Sequence, residues 1–387
     1  MKAKTGFSTA LDPRAAGSEA AAMAKDGLSD IKLAFVYASV AYDIEAMLDG
    51  VQSELPDVPL IGNTSFTGVI GAGGFISGDD GFVGILALSD ADAAIGAAGL
   101  PKGRTARETG RDVALQAMAK AGRNAPPDYF YMVASPGEEE AYLKGITSVI
   151  GRVPMFGGSA ADNTIAGEWS LYAGQKAFAD GVAVAFFYTD KKMTNLFTGA
   201  YRETADVGII TKVANNRTLL EIDGVPALEM YGKWTGADAA SLAGGNLLVT
   251  TITSPLGVKD RLGELIAIRH PMNGNPDGSM NIGANLAEKT AVIRMEATVD
   301  ELIASASETL VALRDGLAEP PAFYHLVHCG GRRAGIGDRI AEVAEGVKAA
   351  AGDVPFVMVF TFGEYGFYDD GNNTTGGLML SYTAVAK

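Results

Sequence analysis

One order of elements recurs three times along this chain of 387 residues, and it constrains the fold more than any single motif. An apolar strand ends on a small residue, an amphipathic helix follows, and a Val-Pro strand comes next. The first copy starts at "IKLAFVYAS", ending at Ser39. Its helix carries Ile44, Met47, Leu48 and Val51 on one face, and "DVPLIG" closes it at Gly62. The second runs from "NAPPDYFYMVAS", ending at Ser135, to "RVPMFG", ending at Gly157. Its helix opens at "PGEEE", where Glu138 to Glu140 suit the positive end of a helix dipole. The third runs from "EPPAFYHLVHC" to "DVPFVMVF", with Asp338 the expected cap of a helix through Ile340, Val343 and Val347. Alanine-rich helices are expected before each copy, near 14–25, 108–121 and 299–315.

Strands alternating with helices imply an α/β fold. The expectation is mixed, largely parallel sheets built from repeated helix-strand-helix-strand units. After residues 190–200 the order changes to a hairpin, "GIITKVANNRTLLEIDG", with Asn-Asn-Arg as its turn, followed by a short helix, "VPALEMYGKW". Two parts are therefore expected, 1–194 with two units and 195–387 with the insertion and the third unit. Ligands in such sheets bind beyond the carboxyl ends of the strands.

The net charge of −15 argues against binding nucleic acid or an anionic membrane, because phosphate would be repelled. No apolar run approaches the ~18 residues of a membrane span. The start, "MKAKTGFSTALDPRAAG", has no apolar core of signal-peptide length, so a cytoplasmic protein is expected. A single cysteine forms no internal disulfide, and three histidines are too few and too scattered for a structural zinc site.

"YHLVHCGGRR" holds that cysteine and two of the histidines. Aligning Pro127 with Pro321 places Cys329 on Ser135 and His325 on Tyr131. Cys329 is then either a small buried group at a strand's end or a nucleophile. His325 and His328 are three apart, which on a strand puts them on opposite faces. His270, in "IRHPMNGNPDG", is expected to end a strand before a turn. "VIGAGGFISG" lacks the third glycine of a dinucleotide loop and reads as a hairpin.

Several motifs, in order, resemble the FIST domain family over nearly the whole chain. They are "VPLIGNTSFTGVI", "VPMFGGSAADN", "LEIDGVPALEMYGKW", "HCGGRRAGIGD" and "VPFVMVFTFGEYG". The resemblance implies a bacterial sensory protein that binds a small ligand, with amino acids a proposed class. It implies a signalling partner such as a histidine kinase or a cyclic-dinucleotide enzyme. Some members are similar in size and are haem-binding nitric-oxide sensors. Here Asn63 stands where Cys is frequent, and Asn372, Asn373, Thr374 and Thr375 stand where a His-Asn-x-Thr run is common.

The expected receptor pairs Arg332, a bidentate fork for a carboxylate, with Glu364, which would receive an ammonium. Cys329 and Tyr365 would lie beside them, with Phe362 or Tyr368 as walls. Asn63, Thr64 and Ser65 after the first Val-Pro strand, and Ser159, Asp162 and Asn163 after the second, either line the pocket or serve turns. No catalytic residue, metal or cofactor is expected on this reading. Under the alternative, haem would be held by His270, His325 or His328. A third reading is a hydrolase or transferase that uses Cys329.

Overall fold

The strand Ile31–Ala38 is buried over most of its length, and the helix Ile44–Glu54 returns the chain so that Leu60–Thr64 runs parallel beside it. This is the computed structural model's first crossover; the structure describes residues 1–259, 265–368 and 372–387. Two further crossovers are Tyr129–Ala134, Glu139–Ile150, Met155–Ser159 and Pro321–Cys329, Ile340–Ala351, Phe356–Thr361. A helix precedes each: Pro13–Lys25, Ala106–Lys120 and Val299–Asp315, with Asp12, Thr105 and Thr298 as side-chain N-caps.

Three six-stranded sheets share one strand order. Beside each parallel pair lies a late antiparallel strand (Val83–Ser89, Gly181–Tyr188 or Leu380–Ala386), then an edge strand. On the other side lies a hairpin from a distant part of the chain. Leu171–Ala173 and Lys176–Phe178 complete the first sheet, Glu364–Phe367 and Asn373–Gly376 the second, and Val69–Gly71 and Gly74–Ile76 the third. Each sheet thus takes its last two strands from the loop that follows another sheet's parallel pair. The sheets are mixed, as expected, with the later strands antiparallel, but they are not largely parallel. Only one neighbouring pair in each six-stranded sheet is parallel. A parallel neighbour needs a long crossover, and one helix per sheet supplies it; the other strands arrive with opposite direction.

The inner faces of these sheets share one core. At its centre Phe35, Tyr131 and His325 touch, with ring centroids 4.9, 4.9 and 5.3 Å apart. Each outer face is covered by a helix pair. The first pair crosses at Gly17 and Gly50, where an added Cβ would stand 2.1 Å from Met47 O and 2.0 Å from Arg14 O. Glycine is required there so that two backbones can approach.

A fourth, antiparallel sheet is inserted between Met193–Thr198 and Val299–Asp315. Its first hairpin, Arg202–Ala214 with Thr218–Ile222, turns through Asn215 and Asn216 at positive φ, as expected of Asn-Asn-Arg. The helix Ala227–Thr235 packs on it. Among the described residues no helix is long and apolar enough to cross a membrane, and no group of three His, Cys, Asp or Glu is placed to hold a metal ion. Residues 369–371, between Tyr368 and the Asn372 to Thr375 run, lie outside the described residues.

Candidate functional site

The carboxyl ends of the parallel strands open into a cavity of about 480 Å³, and the inserted sheet covers it. Its walls are mainly apolar. Phe66 follows the first Val-Pro strand, Trp169 the second and Phe362 the third. Phe66 and Phe362 have centroids 5.8 Å apart, and Trp169 meets Phe362 edge-on at 6.2 Å. Ile165 from one part and Val249 from the inserted part flank the mouth, 44% and 70% exposed.

Four side chains bring polar chemistry to this apolar chamber: Arg217, Glu139, His270 and Cys329. Arg217 follows the two left-handed asparagines, so the hairpin tip carries it to the helix Glu139–Ile150. Its Nη2 donates to Glu139 Oε2 at 2.6 Å and Glu140 Oε2 at 2.7 Å, and Nε and Nη1 donate to Asn285 Oδ1 and Gly283 O. Burial holds the Glu139 carboxyl above its usual range. Burial opposes ionisation of Glu140 too, but Arg217 and the Asn285 N–H outweigh it and hold that carboxyl low. One guanidinium thus holds the inserted sheet to the second α/β layer.

His270 Nε2 lies 2.9 Å from Leu248 O, and burial lowers its pKa to about 4. The neutral ring donates Nε2–H to that carbonyl, which leaves Nδ1 as an acceptor. Cys329 is buried at the cavity wall, and its Sγ accepts the N–H of Gly331 at 3.3 Å and of Leu378 at 3.2 Å. Burial, then the nearby Glu364, push the thiol well above its usual range. A Cβ on Gly331 would meet His270 Cε1 at 3.3 Å and Cys329 Sγ at 3.5 Å, so imidazole and thiol flank the same glycine.

The other expected ligand contacts are turned into the scaffold. Asn63 accepts from Tyr131 OH and donates to Thr64 O. Thr64 binds the Ser170 backbone, and Ser65 donates to Gly68 O while accepting Phe360 N–H. Asp162 gathers the N–H groups of Thr164 to Glu168, shaping the loop that carries Ile165 to the mouth. Asn163 accepts Thr67 N–H, and Ser159 joins Glu139 to the Tyr365 hydroxyl. Of the residues named from sequence as ligand contacts, only Cys329 lines the cavity, together with the wall residue Phe362.

The Arg332–Glu364 receptor is corrected by the geometry. Both side chains are fully buried and neither lines the cavity. A short helix, Gly330–Ile336, starts directly at Cys329, and the next begins at Ile340 with Arg339, not Asp338, at its cap. The short helix aims Arg332 at the helix Val299–Asp315, where Nη2 donates to Leu302 O at 2.8 Å and Ser305 Oγ at 2.6 Å. Glu364 accepts from Thr361 Oγ1 at 3.1 Å and Met379 N at 3.0 Å. Among the described residues no ion pair joins the two.

Two of the three histidines, His325 and His328, are turned into the scaffold and do not fit a haem iron. His325 sits in the central core with Nε2 on Tyr37 OH, and His328 packs against Phe360 with Nδ1 on Cys329 O. Neither lines the cavity, and His270, which does, has its Nε2 engaged by Leu248 O and presents only Nδ1. Sequence reading passed over Arg217 as a turn residue, Glu139 as a helix-dipole partner and Trp169 altogether. The usable signal was an arginine directly after two turn asparagines, at a hairpin tip free to reach another part of the fold.

The FIST N domain model matches residues 32–225, and the FIST C domain model matches residues 227–366. Among solved structures, a cyanuric acid hydrolase from A. caulinodans aligns with 100% of this chain and 99% of its own, at 12% identity and a TM-score of 0.37. PurLQS from Thermotoga maritima aligns with 99% of this chain and 72% of its own, at 10% identity and a TM-score of 0.24. No curated protein matches. The two matched regions adjoin and take in both the crossovers and the inserted sheet, and the chain belongs to the FIST family.

Proposed function

We propose that this chain is a receptor whose small ligand occupies the cavity between the strand ends and the inserted sheet. Domains of this family sense small ligands in signal transduction. The observation that carries the reading is the Arg217–Glu139 pair in the wall of a cavity that Phe66, Trp169 and Phe362 also line. A cationic fork, a carboxylate and an aromatic wall suit an amino acid with a large apolar side chain. Its carboxylate competes with Glu139 for Arg217, the released Glu139 takes the ammonium, and the side chain lies against the rings.

The same contact supplies a readout. Arg217 belongs to the inserted sheet and Glu139 to the second layer, so a ligand carboxylate that takes the guanidinium loosens the joint between them. A signalling partner such as a histidine kinase or a cyclic-dinucleotide enzyme would read the change. The shift requires that the ligand bind the two arrangements with different affinity. We further read the three six-stranded layers as one module used three times, which explains why their tips surround one chamber. Binding without turnover is supported by the Cys329 thiol, which burial keeps protonated.

Thermal shift with phenylalanine, leucine, alanine and matched amines and carboxylates tests this. A ligand at one hundred times its Kd adds about 2.7 kcal/mol to stability. Phenylalanine or leucine should raise Tm and alter Trp169 fluorescence, and Arg217→Met should abolish both effects. No shift with any of them, or an equal shift in the variant, ends the proposal.

A further inference from the structure

We propose that a second site, built around Arg269 with Lys144 and Arg152, binds a small oxyanion, phosphate or carboxylate. It is a cavity of about 570 Å³ on the far side of Glu140 from the chamber above, also bordered by Asn285 and the run Asn372 to Thr375. It does not depend on what occupies the first cavity.

Charge is the first argument. The chain carries 46 acidic residues against 31 basic ones, yet the described lining of this cavity has three cations and one carboxylate. That carboxylate, Glu140, is already taken by Arg217 Nη2 and the Asn285 N–H. Among the described residues, Lys144, Arg152 and Arg269 form no ion pair, whereas Arg14, Arg104, Arg111, Arg202, Arg217, Arg294, Arg314 and Arg339 do. A surplus of unpaired cations around one hollow attracts anions.

Arg269 is the second. It is only 9% exposed, at the end of the strand Leu265–Arg269. Nε donates to Asn285 O at 3.0 Å, and Nη1 donates to Ile268 O at 3.2 Å and Thr375 O at 3.3 Å. These are neutral carbonyls, which orient the guanidinium; the nearby carboxylate that acts on its charge, Glu140, is shared with Arg217. Nη2 has no acceptor among the described residues. Burial, the largest influence, holds this guanidinium below its usual range. A buried charge in no ion pair is costly, and here a cavity bordered by two further cations lies against it. A guanidinium held by carbonyls through Nε and Nη1 and left open at Nη2 can donate to an oxyanion. Lys144 and Arg152, exposed on and just after the helix Glu139–Ile150, would complete the charge balance from the solvent side.

The test is isothermal titration of the full chain with inorganic phosphate and with succinate, against sodium chloride at matched ionic strength. Saturable binding of phosphate or succinate beyond chloride is expected, and which of them binds names the oxyanion. Arg269→Gln should weaken it at least 10-fold. Should that variant not fold, the surface double variant Lys144→Ala/Arg152→Ala, which touches no core group, decides the matter and should weaken binding several-fold. No binding beyond chloride, or unchanged affinity in the surface double variant, overturns the proposal.

Discussion

Glu364→Gln should make this protein more stable, and by an amount that grows with pH. Glu364 is fully buried, with its oxygens on Thr361 Oγ1 and Met379 N and its carboxyl hydrogen-bonded with the Cys329 thiol. Burial pushes its pKa from 4.5 up to about 8. In the window between those values the folded state keeps a proton that the unfolded chain has released. Stability therefore falls as pH rises from 4.5, and the loss levels off above the folded pKa. Each pH unit inside the window is worth about 1.4 kcal/mol, so the loss between pH 5 and pH 8 is about 3 kcal/mol. Glutamine does not titrate, keeps an oxygen for the Met379 N–H, and can donate to Thr361 Oγ1. The three buried histidines also make wild-type stability depend on pH below 6.5, but they act equally in the variant and cancel in the difference. Urea unfolding of both proteins from pH 5 to pH 9, followed by tryptophan fluorescence, gives that difference directly. A difference that stays flat across this range would show that Glu364 is ionised in the fold, and the burial argument would be wrong.

Two further predictions concern the core. His325→Phe should change stability by less than ~1 kcal/mol at pH 7, because Tyr37 still donates to Tyr131, and the lost bond between Nε2 and Tyr37 OH is offset by removal of a buried, unpaired Nδ1. Burial lowers the His325 pKa to about 3, so as pH falls below 6.5 the unfolded chain gains a proton that the fold refuses; at pH 5 the variant should exceed wild type by about 2 kcal/mol in urea unfolding. Gly50→Ala drives a Cβ to 2.0 Å from Arg14 O and should cost at least ~2 kcal/mol by calorimetry, whereas Gly73→Ala, with nothing within 4 Å, should be neutral.

Local order was readable because each element satisfies a local rule. The helices Pro13–Lys25, Ala106–Lys120 and Val299–Asp315 fall within two residues of the spans expected from their patterns. "VIGAGGFISG" forms its hairpin, but on a sheet whose parallel strands begin at residue 321. Nothing local in that stretch specifies its distant partner, which is chosen by the closing of three layers around a shared core. The share of parallel pairs is not legible for the same reason, since neighbours rather than strands decide it.

The site follows from this hairpin exchange. Once each layer's loop crosses to another layer, the chamber wall is assembled from Phe66, Trp169, Arg217, His270, Cys329 and Phe362, spread over nearly three hundred residues. Arg332 and Arg217 look equivalent in sequence: each is an arginine beside turn-forming residues. What separates them is the element each rides on. The short helix after Cys329 turns Arg332 against Leu302 and Ser305, while the hairpin tip delivers Arg217 across the gap to Glu139. A side chain on a buried helix face is shut away from the chamber, even with Arg332 Nε and Nη1 left without partners among the described residues, and charge placed on a tip that spans two parts remains open to competition from a ligand. The physical distinction is whether a residue's partners belong to its own layer, and only the assembled fold supplies it.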